Sequence, residues 1–476
     1  MPLLMSVLSS LKFSQPFRKF LNELLMLLLM VPGRATFRNL SRYSAYDEKT
    51  FSRWYRREVD WAGVNVAAIR AVVPATHESV FAFDPSHMAK SGARTEGIGS
   101  FWNGCAGRAE RGLEVNVLSW VDVTTNTAYT ISAALTPPKV TADPATTPDT
   151  TTTPDTTTTP DTTTTPDTTT TPDTVSLSGS SSAHSPSPRR RTSPKAKGQA
   201  KPRAKPKAKP KAKVPKRPDE PSRIDAYLAH LKQVITGGQL ALLLRYLVAD
   251  GFFSKIKFVD GILALNLHLI SKLRSDADAR YRYTGPYGGR GAPRRYGDKV
   301  NWNILNPAVF TSVASTDPTL TLHTALVALP HLKRNVRVVV VTETRTGRRA
   351  LLFSTDVDLD PVTLYRYYKA RFQIEFLFRD SKQYAGLTHC QARCRAAITF
   401  QVNASLTAVS LSKLQAIQAA GEFPQPFSMA SVVRRAFNVH FLKKIIAYLA
   451  QGQTLTEISP EYETLCNYGI INSVPT

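Results

Sequence analysis

Three acidic residues from distant parts of the chain stand where carboxylates could meet. Asp84 follows the apolar run VFAF, Asp250 follows YLVA, and Glu375 lies in YYKARFQIEFLFRDSK. A strand that buries its backbone through such a run leaves a polar residue at its exposed end, so each Asp is expected to close its strand. Around Glu375, Tyr368, Arg371 and Lys382 recur with the spacing Y-x2-R-x3-E-x6-K. At about 100° per residue these steps put all four on one face of a continuous helix. A carboxylate flanked by two cations and a phenol suits a metal-bound phosphate. Hard carboxylate oxygens favour Mg²⁺ or Mn²⁺ over Zn²⁺. Asp380, five residues beyond Glu375, is expected to point elsewhere. The nucleotide loop G-x-x-x-x-G-K-[ST] does not occur, and YGGRG follows no helix-opening strand.

Rival residues have simpler explanations. Asp122 in SWVDV comes one strand too late to be the first acid, and Asp260 in KFVDG falls inside a helical pattern. His389, Cys390 and Cys394 lack the second paired cluster of a zinc site. Trp102, expected in the FWNG turn, could stack on an unpaired base or simply fill a turn. Arg434, Arg435, Lys443 and Lys444 fit a solvated helix face as well as a nucleic-acid surface.

The elements that must hold the acids follow from periodicity. Residues 14 to 74 read as several short helices. ESVFAFD, GLEVNVLSWVDV and TAYTISAAL read as three strands of an antiparallel meander. Beyond residue 222 come a helix (PSRIDAYLAHLKQVI), a buried strand (RYLVAD), a helix (SKIKFVDGILALN) and a strand (LHLISKLR). The order β-β-β-α-β-α-β is that of the ribonuclease H-like fold. Residues 284 to 360 break it: a Gly- and Arg-rich loop leads into further strands with a hairpin at Thr346-Gly347, which reads as an insertion. Helix is expected to resume from Pro361 to about Leu387 and again toward the C-terminus.

Composition bounds the partner. With 61 Lys and Arg against 36 Asp and Glu, the formal net charge is +25, which asks for a polyanion. The unit PDTTTT repeats from Pro148 to Pro172 and cannot bury a core. Arg189 to Arg217 then carries 14 Lys and Arg in 29 residues with no acid, an extended basic arm or a tolerated surface repeat. Four cysteines in 476 residues make no disulfide framework and fit a reducing compartment. The run Leu24 to Val31 is too short for a bilayer span, and Glu23 beside it argues for a buried helix rather than a secretion signal. A cytoplasmic, nucleoid-associated protein with no membrane partner is expected.

The four spaced residues, together with FAFDPSHMAKSG around Asp84 and YLVADGFFSK around Asp250, resemble the signature of DDE transposases of bacterial insertion sequences, in the insertion-sequence-four-type branch. GSFWNGCAGRAERGLEVNVLSWVDV is similar to the stretch linking that family's first two strands, and a strand-rich insertion before the Glu is a family trait. The Thr/Asp/Pro and Lys/Pro linker departs from the family. The resemblance implies that Asp84, Asp250 and Glu375 are catalytic and hold two Mg²⁺ ions, and that Tyr368, Arg371 and Lys382 bind DNA. It implies cleavage of double-stranded DNA at element ends and strand transfer into target DNA by a homodimer on DNA, with no small-molecule substrate. The expected organisation is an α/β, ribonuclease H-like core (76–136, 223–283 and 361–405). It is preceded by a helical DNA-binding domain (1–75), split by a disordered linker (137–222) and by the β-rich insertion (284–360), and followed by a helical region (406–476). A silent DNA-binding derivative and a metal-dependent nuclease without strand transfer are the alternatives.

Overall fold

Several of the N-terminal helices are short, and their sequence supplies the caps that start them. In the computed structural model, which describes residues 2–138, 221–238, 240–287, 289, 291–315, 317–420 and 427–449, these are α1 (Pro2–Ser10), α2 (Gln15–Met30), α3 (Phe37–Arg42), α4 (Glu48–Trp54) and α5 (Trp61–Val72). The side chains of Thr36, Asp47 and Asp60 accept the free N–H groups of Asn39, Thr50 and Gly63 at the starts of α3 to α5. The Leu-rich stretch of α2 is buried from Leu24 to Met30 except at Met26. Among the described residues no helix is long and apolar enough to cross a membrane. The Thr/Asp/Pro repeat, the Lys/Pro arm and residues 450–476 lie outside the described residues.

One mixed sheet carries the centre of the molecule. Its strands are β1 (Ser79–Ala89), β2 (Gly99–Asn103), β3 (Arg108–Asp122), β4 (Thr127–Leu135), then, after α6 (Arg223–Gly237), β5 (Tyr246–Ala249). Next come α7 (Ile256–Leu263), β6 (His268–Leu273), β7 (Arg280–Arg282), β8 (Tyr296–Lys299), β9 (Thr311–Val313), β10 (Leu320–Leu329), β11 (Arg334–Glu343) and β12 (Arg349–Ser354). The helices α8 (Pro361–Ala370), α9 (Gln373–Tyr384), α10 (Arg395–Ala420) and α11 (Met429–Leu449) follow. Neighbouring strands run β2-β3-β1-β5-β6-β12-β11-β10-β7-β8, with β4 on β3 and β9 on β10. β1 is antiparallel to β3 and parallel to β5, and β5 is parallel to β6.

Four expectations change. FWN is not a turn but part of β2, paired with Arg108–Gly112 of β3. The Gly- and Arg-rich loop contains a strand, β8. The strands of the expected insertion do not stand apart: β12 pairs with β6, so β10 to β12 continue the sheet that holds β1 and β5. Asp84 does not close its strand either. β3 is 15 residues long and keeps pairing with β1 as far as Ala89 opposite Gly112, whereas the parallel partner β5 stops at Ala249 opposite Phe83. Asp84 therefore sits where the parallel pairing ends.

The open side of β4 is satisfied by helices. Asn403 of α10 both donates to the Ala133 carbonyl and accepts its N–H, each at 2.9 Å, and Ser410 accepts from Thr130 N–H. Asn65 of α5 donates to the Ile131 carbonyl at 3.0 Å. α10 is continuous across residues 405 and 406 and buried from Ala397 to Leu414 apart from Thr399. Tyr55 donates to Gln401 at 2.7 Å, so the N-terminal helices share this core.

Behind Asp84, the fully buried Phe83 packs on Tyr227, Phe253 and Phe258. Phe83→Ala is expected to cost about 3–5 kcal/mol, whereas Phe372→Ala, at a position 49% exposed, should cost under about 1 kcal/mol. Urea midpoints of the two variants test this. Equal midpoints would show that the aromatic cluster does not anchor β1.

Candidate active site

Parallel pairing brings the two aspartates together. Phe83 lies opposite Ala249, so Asp84 and Asp250 are the next residues on adjacent strands, at the C-terminal end of β5. Asp250 is fixed by a tight turn. Its Oδ1 accepts the Phe252 N–H at 2.9 Å, and its carbonyl accepts from Ser271 Oγ at 2.6 Å. Gly251 fits closely there, since a Cβ would lie 3.0 Å from the Lys272 carbonyl oxygen and force a small shift.

Helix geometry around Glu375 departs from the single helix expected over Pro361 to Leu387. The helix breaks at Arg371 and Phe372, between α8 and α9. Through the break the hydrogen bonds tighten to three-residue steps: Phe372 N–H to Lys369 carbonyl at 3.2 Å, Ile374 to Arg371 at 3.0 Å and Glu375 to Phe372 at 3.0 Å. Tyr368 thus belongs to α8, Arg371 to the link, Glu375 to the first turn of α9 and Lys382 to its last turn. The one-face argument does not hold across the break.

Contacts bring these residues together instead. Arg371 Nη2 lies 3.1 Å from Glu375 Oε1, and Nη1 lies 3.8 Å from Asp84 Oδ1. The guanidinium carbon stands 5.9 Å from the centroid of the Tyr368 ring. Lys382 Nζ donates to Ser86 Oγ at 3.0 Å and to the His87 carbonyl at 3.2 Å, which ties α9 to β1 and leaves one of its three N–H groups. Asp380 is buried and pairs with Arg379, away from the site as expected.

Charge is crowded here. Burial pushes the Asp84 carboxyl up to about 7. Arg371 opposes that rise, while Asp250, Glu375 and Glu114 add to it. Burial also raises Asp250, against the Phe252 N–H, Arg371 and Lys255. Arg371 is half-buried, and the desolvation would lower it, but Asp84, Tyr368, Glu375 and Asp250 hold it above its ordinary value. Three carboxylates against Arg371 and the Lys255 ammonium that acts on Asp250 leave an excess of one negative charge when all are ionised.

That excess and the all-oxygen donor set suit a hard divalent cation. Asp84, Asp250 and Glu375 are the residues that would hold it. They do not form a closed cage: among the described residues, no group of three Asp, Glu, His or Cys side chains stands close enough to hold a metal ion. Arg371 spans Asp84 and Glu375.

The rivals are accounted for. Asp122 caps a turn through Thr124 and Thr125 and accepts from His77 Nδ1 at 2.8 Å. Asp260 pairs with Arg334. His389 Nδ1 accepts the Ala35 N–H at 3.1 Å, and Cys390 is buried.

Three residues near the site were not foreseen. Ser86 shares the face of β1 with Asp84 by the two-residue strand period, a signal that was available. Glu114, a buried acid in the apolar run of β3, is held by Tyr227 at 2.5 Å and Arg223 at 3.5 Å. Lys255 acts on Asp250 from the start of α7 and lies over the Phe252 ring at 3.2 Å.

Residues 223–411 match the family described as the transposase DDE domain. The transposase DDE match contains Asp250, Tyr368, Arg371, Glu375 and Lys382, while Asp84 precedes it. No curated protein matches the chain. Among solved structures it is similar to a piggyBac transposase synaptic complex with hairpin DNA, at 12% identity and a TM-score of 0.35, over 96% of this chain and 76% of that one.

A pH dependence follows from Asp84. An unfolded Asp releases its proton near pH 4, whereas the folded chain keeps it to about 7. The folded state therefore binds more protons in that window, and stability falls as pH rises through it. Asp84→Asn should flatten this slope and be more stable than the parent above pH 7 in EDTA, by on the order of a few kcal/mol, with a correspondingly higher Tm. The gain should vanish below about pH 4. Parallel pH profiles of the two melting temperatures would contradict the assignment.

Proposed function

We propose that the chain is a DDE transposase of the insertion-sequence-four type, with a ribonuclease H-like core that cuts DNA at the ends of a mobile element and joins the freed ends to a target. One observation carries the reading: Arg371 joins Asp84 to Glu375, although 291 residues separate them, beside the register that sets Asp84 next to Asp250. The neighbour order β4-β3-β1-β5-β6, with β1, β5 and β6 parallel, supports the core assignment, and the transposase DDE match supports the chemistry.

In this reading Asp84, Asp250 and Glu375 are the catalytic carboxylates and hold two Mg²⁺ ions, Mn²⁺ being a substitute of similar hardness. The ions supply activation of the attacking hydroxyl and charge neutralisation at the leaving oxygen. The side chains do the rest. Arg371 leaves Glu375 for the phosphate, which its planar fork can grip through two N–H groups. Tyr368 supports the guanidinium, and Lys382, anchored by Ser86, offers its remaining N–H. Water first splits a phosphodiester to a 3′-hydroxyl and a 5′-phosphate, and that hydroxyl then displaces a 3′-oxygen in target DNA. The proposal includes a homodimer on double-stranded DNA, a cytoplasmic, nucleoid-associated location and a DNA-binding role for residues 1–75.

The test uses DNA flanking the protein's own gene, where terminal inverted repeats are expected. With Mg²⁺, purified protein should nick and join that DNA, and Asp84→Asn or Glu375→Gln should reduce both products at least about 10²-fold while retaining DNA binding. Cutting without joined products would favour a nuclease. Binding with neither product under Mg²⁺ or Mn²⁺ would favour a silent derivative.

A further inference from the structure

An open cleft of about 520 Å³ lies beside the turn that follows Asp250. Gly251 forms one side, the C-terminal end of β6 and the following residues Arg274 and Asp276 another, and Arg349 and Leu351 of β12 the third. It exists because β6 is shared. β5 pairs with one side of β6 and β12 with the other, so the strands before α8 wall a space at the same sheet end as Asp250.

The charges in this cleft are unequal. Arg274 donates twice to Asp276, at 2.9 and 3.0 Å, and the pair is neutral. Arg349 donates to the Trp302 carbonyl, a neutral acceptor that leaves its charge uncompensated. Lys272 is exposed, and among the described residues no carboxylate pairs with it or with Arg349 within 4.0 Å. Two cations that pair with no carboxylate among the described residues thus line the cleft, which begins at Gly251, the residue after Asp250. The lining includes no aromatic ring on which a base could stack and no acid other than Asp276.

We propose that this cleft holds the sugar-phosphate backbone of the DNA strand next to the bond that is cut, with Lys272 and Arg349 contacting phosphates. The assignment rests on the transposase reading above. It makes β12 a wall of the DNA path and not only an extension of the sheet. Because the partners are phosphates, the contact is independent of base sequence.

Full-length protein and a labelled duplex of arbitrary sequence test it by fluorescence anisotropy over a salt series in EDTA. Lys272→Gln should weaken binding and lower the slope of log affinity against log salt by about 0.9, one phosphate contact. Lys272→Arg should restore the slope, and Ser275→Glu, which adds an anion to the lining, should weaken binding further. Arg349→Lys keeps the charge and should keep the slope, and thermal melts confirm that each variant folds. Unchanged affinity and slope in both Lys272→Gln and Ser275→Glu would overturn the proposal. If wild type still cuts and joins its flanking DNA in that case, the transposase reading survives and the cleft assignment falls. If wild type does neither but Lys272→Gln lowers the slope, the cleft stands as a nucleic-acid surface and the transposase reading falls.

Discussion

The arrangement at the sheet end depends on Arg371 between Asp84 and Glu375. Burial is the larger cost of ionising carboxylates gathered in a half-buried place, and their mutual repulsion adds to it. Asp84 shows this in a carboxyl that holds its proton to about pH 7. The guanidinium offsets part of the repulsion and keeps α9 close to β1. A site assembled this way keeps an excess of negative charge that one guanidinium does not cancel.

The remainder of the fold serves that crowding. The aromatic cluster of Phe83, Tyr227, Phe253 and Phe258 fixes β1 against the helices α6 and α7. Lys382 fastens α9 to Ser86 and His87, two and three residues past Asp84. The break at Arg371 lets one side chain reach both β1 and the first turn of α9. A straight helix would fix the direction of Arg371 relative to Glu375 by helical rise alone, whereas the tightened turn uses the end of α8 and the start of α9 as two separate supports.

Much of this was legible in the sequence, and the exceptions have physical reasons. The apolar runs before Asp84 and Asp250 mark β1 and β5 because burial of both faces demands them. The ends of β1 were not legible, since they depend on how far β3 continues as a partner rather than on residues 85–89. Nor did Arg371-Phe372 announce a helix break: neither Pro nor Gly stands there, and the turn is stabilised by contacts to Asp84, 287 residues away. Strand pairing between β6 and β12 likewise joins residues some eighty positions apart, which no local pattern encodes. The Y-R-E-K spacing implied a common helical face, which the break at Arg371 does not allow; the contacts among Tyr368, Arg371 and Glu375 form across that break instead.

If the proposed function holds, Asp84, Asp250 and Glu375 bind the same divalent cation. Electron paramagnetic resonance of Mn²⁺ added to the DNA-free protein tests it most directly, because bound and free ions give separable signals. Saturable binding is expected in the parent chain and its loss in Asp84→Asn, in Asp250→Asn and in Glu375→Gln alike. Undiminished Mn²⁺ binding in any one of the three would show that the corresponding carboxylate stands outside the site.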